Sequence, residues 1–438
     1  MTLDTSTRIV TKPAAEPLRV AADICVVGSG AAGTMAALTA ARLGRSVVLV
    51  DAMPALGGQA VGGLLGTLCG FYGNGPNPPR VVYGAVTEML EHLADAGTLS
   101  ARRARNTVIF QFEEHLLARW IERSMVEAGV KILLGATLRG ADRDGRRVTR
   151  LHLATRWGDA EVEAQGFVDA SGDAAIAWHA GLPVREPETP VFGSQMFQIE
   201  GIDEDEFARF DRWEVERVLA DNADAYGLRR KDGFVFAQPG TGIGLANMTH
   251  IPTPTEPVGA SMAGLDGKDQ ADRVMALLRD KLPAAMGKAR IRAYGLPGIR
   301  QTRWIAGAHH LTTDEVRAGT RFDDAVARCS WPVELHNRAE GVHWEEFGDD
   351  HMHWVPLGSM TPADADNLVA AGRCIDGDVA ALASVRVIGP CMAMGQAAAH
   401  ALDLAGAGSV HQLDRDALQD RLRDNLERAD RDPWTEGV

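Results

Sequence analysis

The chain has 438 residues, 45% hydrophobic and 24% charged, long enough for two or three globular domains and too apolar for wholesale disorder. Lys and Arg number 45 against 59 Asp and Glu, and the net charge of -14 repels phosphate backbones and anionic headgroups, which argues against nucleic acid and membrane surfaces as partners. Cysteines at 25, 69, 329, 374 and 391 show neither CxxC nor metal-ligand spacing, so no metal is expected and a reducing, cytoplasmic setting is. Residues 1–20 lack the apolar stretch of a secretory signal, and no apolar run reaches the roughly 20 residues of a membrane helix.

In chain order, residues 24–27 read as a strand broken by Gly28-Ser29-Gly30-Ala31-Ala32-Gly33, followed by a helix over 34–42 that Gly44 closes. Residues 46–50 read as a second strand ending in Asp51, which completes a strand–helix–strand unit. The glycine-rich stretch 55–75 reads as loop, 81–96 and 113–128 as helices, 130–134 as a strand, and 147–153 with 160–168 as paired strands. From 183 to about 350 Pro, Trp and His become more frequent and the regular alternation stops. It returns with a strand at 367–370 and a small-residue helix over 392–404. The expected fold is α/β, with a discontinuous nucleotide-binding domain over 1–182 and 356–438 and an inserted α+β substrate domain over 183–355.

The glycines of the loop have separable tasks. Gly28 allows the tight turn out of the strand, Gly30 lets backbone approach a pyrophosphate, and Gly33 permits close helix–strand packing. Free N–H groups and the helix dipole behind them, around Ala32, attract the phosphates. Asp51 lies near the spacing at which a carboxylate takes the ribose hydroxyls, so a dinucleotide is expected.

Further glycine-acid clusters follow: Gly57-Gly58 after Asp51, the VDASGDAAIAWHAG stretch within 167–181, and NLVAAGRCIDGD with VRVIGPCMAMGQAAA within 367–399. With 23–59 and 112–138, about half the chain resembles the glutathione-reductase-like FAD fold. More closely, it is similar to the FAD-dependent oxidoreductase family that neighbours the fumarate reductase and succinate dehydrogenase flavoproteins. The resemblance implies FAD, bound noncovalently, with Gly57, Gly58 and Gln59 beside pyrophosphate and ribitol and the backbone of Leu138 against adenine. It further implies Ala170 and Gly172 under the pyrophosphate, Asp378 at the ribitol, and Cys391 and Met392 opening a helix whose N-terminus meets the flavin N1–C2=O edge. Asp51 stands where the family often has Glu.

On the substrate side, His351 and His353 alternate around Met352 after Asp349-Asp350, and a strand there puts both imidazoles on one face. The resemblance brings this segment near the flavin, which makes His353, then His351, the candidate proton acceptors. Arg386 precedes the last helix, and in fumarate-reductase-like relatives an arginine at a comparable place grips a substrate carboxylate. Arg300 and Arg303 read as structural, and His309-His310 lacks a third metal ligand. Together these residues imply hydride transfer between a small organic substrate and flavin N5, by a dehydrogenase or an oxidase. The alternative is a flavin-fold hydratase or isomerase in which FAD is structural or transiently reduced. The electron acceptor (oxygen, quinone or carrier protein) and homo-oligomerisation stay open.

Overall fold

Strand Leu18–Val27 is the hub of the computed structural model, which describes residues 7–9, 16–435 and 437. Residues 1–6 and 10–15, part of the N-terminal stretch considered above for a signal, lie outside the described residues. Strand Val47–Asp51 pairs parallel with one edge of the hub, and Lys131–Leu134 continues the sheet beyond it. On the other edge the hub runs parallel to Gly158–Asp169 from Leu18↔Ala160 to Val27↔Asp169. Leu368–Ala370 then adds a fifth parallel strand against the end of Gly158–Asp169. The lower half of that same edge pairs antiparallel with Arg147–Thr155, which in turn pairs with Ala136–Asp144. Val47–Asp51 is buried throughout, which is why its sequence is continuously apolar up to the acid.

Helices Ala31–Arg42 and Ile388–Ala405 cross on this sheet, and the crossing needs small residues. A Cβ on Gly395 would run into the Ala32 carbonyl, and one on Gly166 would lie 2.9 Å from Leu402 in the overlying helix. The expected return strand is pinned by Asn367, whose amide donates to the Val148 and Gln165 carbonyls and accepts from Val148 N. Its last helix begins at Ile388, so Pro390 sits inside the first turn instead of opening it; that turn has no intrahelical partner for the missing N–H.

The stretch 183–355 divides in two. Residues 197–291 build a core of their own, with a four-stranded antiparallel sheet in the order Phe234–Gln238, Ile243–Asn247, Phe197–Glu200, Arg290–Tyr294. Helix Pro257–Lys281 contributes Ala271, Val274, Met275, Leu277 and Leu278 to that core. By contrast Trp304, Ile305, Leu311, Ala325 to Ala327, Cys329, Trp331 and Val355 pack into the core of the first domain. The separate unit is therefore shorter than the expected insert.

Candidate active site

The glycine loop shows which residues packing demands and which border open space. Gly28 takes φ +98°, and a Cβ there would strike the Ala170 carbonyl. A Cβ on Gly33 would strike the Gly28 carbonyl. At Gly30 a Cβ would meet nothing within 4 Å. Gly30 caps helix Ala31–Arg42 without a side-chain hydrogen bond, leaving first-turn N–H groups for an anion. Asp51 is tied to the loop: its Oδ2 accepts from Ser29 N and Oγ, each at 2.6 Å, and its Oδ1 from Met53 N at 2.8 Å. Gly57 N donates to Ser29 O at 3.1 Å, and a Cβ on Gly58 would lie 2.6 Å from Gly30 Cα. Gln59 is exposed next to this contact. Leu138 lies on strand Ala136–Asp144, which begins just after Gly135, whose N donates to Met53 O.

Ala170 N donates to Val27 O, which sets the 170–172 turn beside the glycine loop at the carboxyl ends of the parallel strands. The side chain of Arg373 lies across Gly172, pairs with Asp173 Oδ1 at 3.0 Å and donates to Thr302 Oγ1 at 3.3 Å. Asp378 faces elsewhere. Its oxygens accept from Thr313 N at 2.8 Å and contact His310 Nε2 at 3.1 Å, so the charged side chain beside the 170–172 turn is Arg373 instead. Open space at Gly30, the uncapped helix and Arg373 together fit a pyrophosphate.

At the other end of the site Gly389 N donates to Cys69 O at 2.9 Å, holding the 69–72 segment against the start of helix Ile388–Ala405. Met392 is buried in that helix, and Cys391 Sγ donates to Arg386 O at 3.1 Å. Arg386 donates from Nη2 to Glu334 O at 3.2 Å, and its buried Nε has no partner. Arg300 donates to Phe192 O at 2.8 Å and Ser194 Oγ at 3.0 Å. Among the described residues neither arginine forms an ion pair. Burial pulls the pKa of each guanidinium down, and for Arg300 the neighbouring Arg386 and Arg230 pull it further. Arg230 has its own partner in Asp232. Arg300 and Arg386 are half-buried with no carboxylate in contact, and the Glu334 carboxylate faces both from further off.

Beside them runs a buried chain. Trp331 Nε1 donates to Glu334 Oε2 at 3.0 Å, Glu334 Oε1 lies 3.1 Å from His336 Nε2, and His336 Nδ1 lies 2.9 Å from His250 Nε2. His250 Nδ1 ends the chain at the Ala339 carbonyl, 2.9 Å away.

His353 is fully buried, between strand Ala325–Cys329 and helix Val379–Val385. Ser384 Oγ donates to Trp331 O at 2.6 Å, so it accepts from His353 Nε2 at 2.9 Å. His353 Nδ1 then accepts from His351 Nε2 at 3.1 Å. Both ring nitrogens are occupied, which removes the lone pair that proton abstraction from a substrate needs. His351 precedes strand His353–Pro356, so the two rings touch each other instead of sharing a strand face, and Asp349 faces Asn106.

A family described as FAD dependent oxidoreductase matches residues 23–422. The chain belongs to the FAD-dependent oxidoreductases. It is an enzyme with FAD as its cofactor. Among solved structures it is similar to a geranylgeranyl bacteriochlorophyll reductase-like protein from Thermoplasma acidophilum, at 14% identity over 94% of this chain and 86% of that one, with a TM-score of 0.48. It is also similar to the flavin-dependent brominase Bmp2, at 14% identity over 92% and 83% with a TM-score of 0.45. A third is p-nitrophenol 4-monooxygenase PnpA from Pseudomonas putida DLL-E4, at 11% identity over 93% and 81% with a TM-score of 0.44. No curated protein matches the sequence.

In this FAD-dependent oxidoreductase, Arg373 and the group Arg230, His250, Glu334 and His336 are what sequence reasoning missed. Arg373 did carry a signal, a cation directly after the glycine that follows a buried strand. His353 has a measurable structural role. Burial pushes its pKa from 6.5 to about 3, with His351 adding to the effect. Between those values the unfolded chain binds a proton that the folded chain does not, so stability falls as pH drops through that window. His353→Asn is expected to flatten this acid limb and to cost about 1–3 kcal/mol at neutral pH. Urea unfolding across a pH series reads both, and an unchanged limb would refute the buried, neutral assignment.

Proposed function

We propose that the enzyme exchanges a hydride between a small organic anion and flavin N5, with Arg386 and Arg300 holding the anionic group. The observation that carries this is the pair of half-buried guanidiniums near the start of helix Ile388–Ala405 with no carboxylate in contact. Bound FAD supplies a two-electron acceptor that takes hydride at N5. The protein's part is positioning. The first turn of helix Ala31–Arg42 and Arg373 hold the pyrophosphate, and the helix Ile388–Ala405 N-terminus stabilises charge on the flavin's pyrimidine edge. Arg386, with its Nε free, matches the planar fork of a carboxylate.

The test is anaerobic mixing of the flavin-loaded protein with a panel of small carboxylates and their amides, following the oxidised flavin band. Reduction by a carboxylate and not by its amide is the expected result. Turnover of a panel member with no electron acceptor present and no net change in the flavin would instead establish the hydratase or isomerase reading.

A further inference from the structure

The hydrogen-bond chain from Glu334 to Ala339 has a direction. A carbonyl only accepts, so the hydrogen of the His250 Nδ1 to Ala339 bond belongs to His250. Burial, with Arg230 and Arg300 nearby, pushes the His250 pKa down to about 2, and a neutral imidazole carries a single ring hydrogen. His250 Nε2 is therefore a bare acceptor, and the hydrogen of its 2.9 Å contact comes from His336 Nδ1. His336 is fully buried and faces Arg300, Arg230, Arg386 and His250, all of which disfavour a second proton. Its Nε2 is thus bare as well, and this lone pair points at Glu334 Oε1 from 3.1 Å. A carboxylate offers only lone pairs in return, and two acceptors at that distance repel. One more proton between them turns the repulsion into a hydrogen bond.

We propose that Glu334 and His336 hold one shared proton and exchange it with the substrate bound at Arg300 and Arg386. His250 is the positioning residue that fixes the direction of the chain. The pair lies in the right place: the Glu334 carboxylate faces both Arg300 and Arg386, and its backbone carbonyl holds Arg386. In the reducing direction a substrate C=O carbon gains a hydride from reduced FAD, its oxygen gains the shared proton, and the π bond breaks as C–H and O–H bonds form. FAD is then oxidised by two electrons, and water refills the pair. The oxidising direction is the reverse, with the emptied pair accepting the proton. The use of the proton rests on the proposed hydride chemistry, while its presence rests on the three contacts of the hydrogen-bond chain and the single hydrogen of each neutral imidazole.

The test is nitrogen-15 histidine labelling of the FAD-loaded protein, with ring tautomers read by long-range proton–nitrogen correlation. Peaks are assigned by loss in His336→Gln and His250→Phe. His250 is expected as the Nδ1–H tautomer. His336 is expected to carry hydrogen on Nδ1, with Nε2 bare or protonated by the shared proton. In His250→Phe the direction is lost, and His336 should switch to Nε2–H donating to an ordinary Glu334 carboxylate. A neutral His336 with Nε2–H in the parent protein, or no switch in His250→Phe, would overturn the proposal. With a carboxylate that reduces the flavin, Glu334→Gln should slow reduction roughly 10²–10⁴-fold at unchanged FAD content. A rate within threefold of the parent removes the pair from the chemistry. Colourless protein would defeat the redox reading and leave the tautomers untouched.

Discussion

Gly30→Glu is expected to abolish FAD retention while the protein folds and melts like the flavin-free parent. The two halves of this result come from different neighbours of one residue. Gly30 has φ -69° and ψ -166°, extended backbone that any residue adopts, and its missing Cβ faces nothing within 4 Å. The fold therefore tolerates a side chain there. The space it would enter is the space in front of the first turn of helix Ala31–Arg42, where a pyrophosphate receives its hydrogen bonds. A carboxylate adds like-charge repulsion to the steric block, so affinity should fall at least about a hundredfold, about 2.7 kcal/mol. Gly33→Ala makes the contrast: its Cβ would strike the Gly28 carbonyl, so that variant should lose solubility or melting temperature before it loses flavin. Flavin absorbance per protein and circular-dichroism melting separate the cases. Full flavin content in Gly30→Glu would move the phosphates out of this cradle.

The two predictions draw on parts of the site that differ in how openly the sequence shows them. The glycine loop, Asp51, the 170–172 turn and the last helix are local patterns, each carried by a few adjacent residues whose spacing has one good structural solution. The cation site has no such pattern. Arg230 and His250 lie within the 197–291 unit and Arg300, Glu334, His336 and Arg386 come after it, and only the tertiary fold brings them together. His353 misled for a related reason. A histidine in a Trp-Val-Pro context on a strand looks the same whether its face points at a ligand or at a helix, and here helix Val379–Val385 covers it. Helix Pro257–Lys281 carries Gly259, Gly264 and Gly267, which weaken the helical pattern of the sequence there. The last two are small because a Cβ would lie 3.0 Å from Pro297 at Gly264 and 2.8 Å from Gln195 and Ile251 at Gly267.

Arg386→Met is expected to raise the melting temperature by a few degrees in buffer without carboxylates, and to weaken substrate binding at the same time. Removing a paired buried charge destabilises a protein because the partner is left behind. Arg386 leaves no contacting carboxylate behind: it forms no ion pair, its Nε is unsatisfied, its single bond goes to the Glu334 carbonyl at 3.2 Å, and the Glu334 carboxylate that faces it also faces Arg300. The loss is one hydrogen bond, worth about 1.5–3 kcal/mol when the donor is charged. The gain is relief of a partly desolvated cation and of its repulsion with Arg300. The second term is the larger. Such a trade is what a binding site held ready for an anion looks like, stability given up for affinity. Arg386→Lys separates the charge from its shape. It keeps the charge and exchanges a planar fork for a point charge, so KM should rise more than tenfold with flavin content unchanged and without the thermal gain. If Arg386→Met melts lower than the parent and sheds its flavin, the guanidinium is a strut of the fold, and Arg300 alone would remain to hold the substrate's charge.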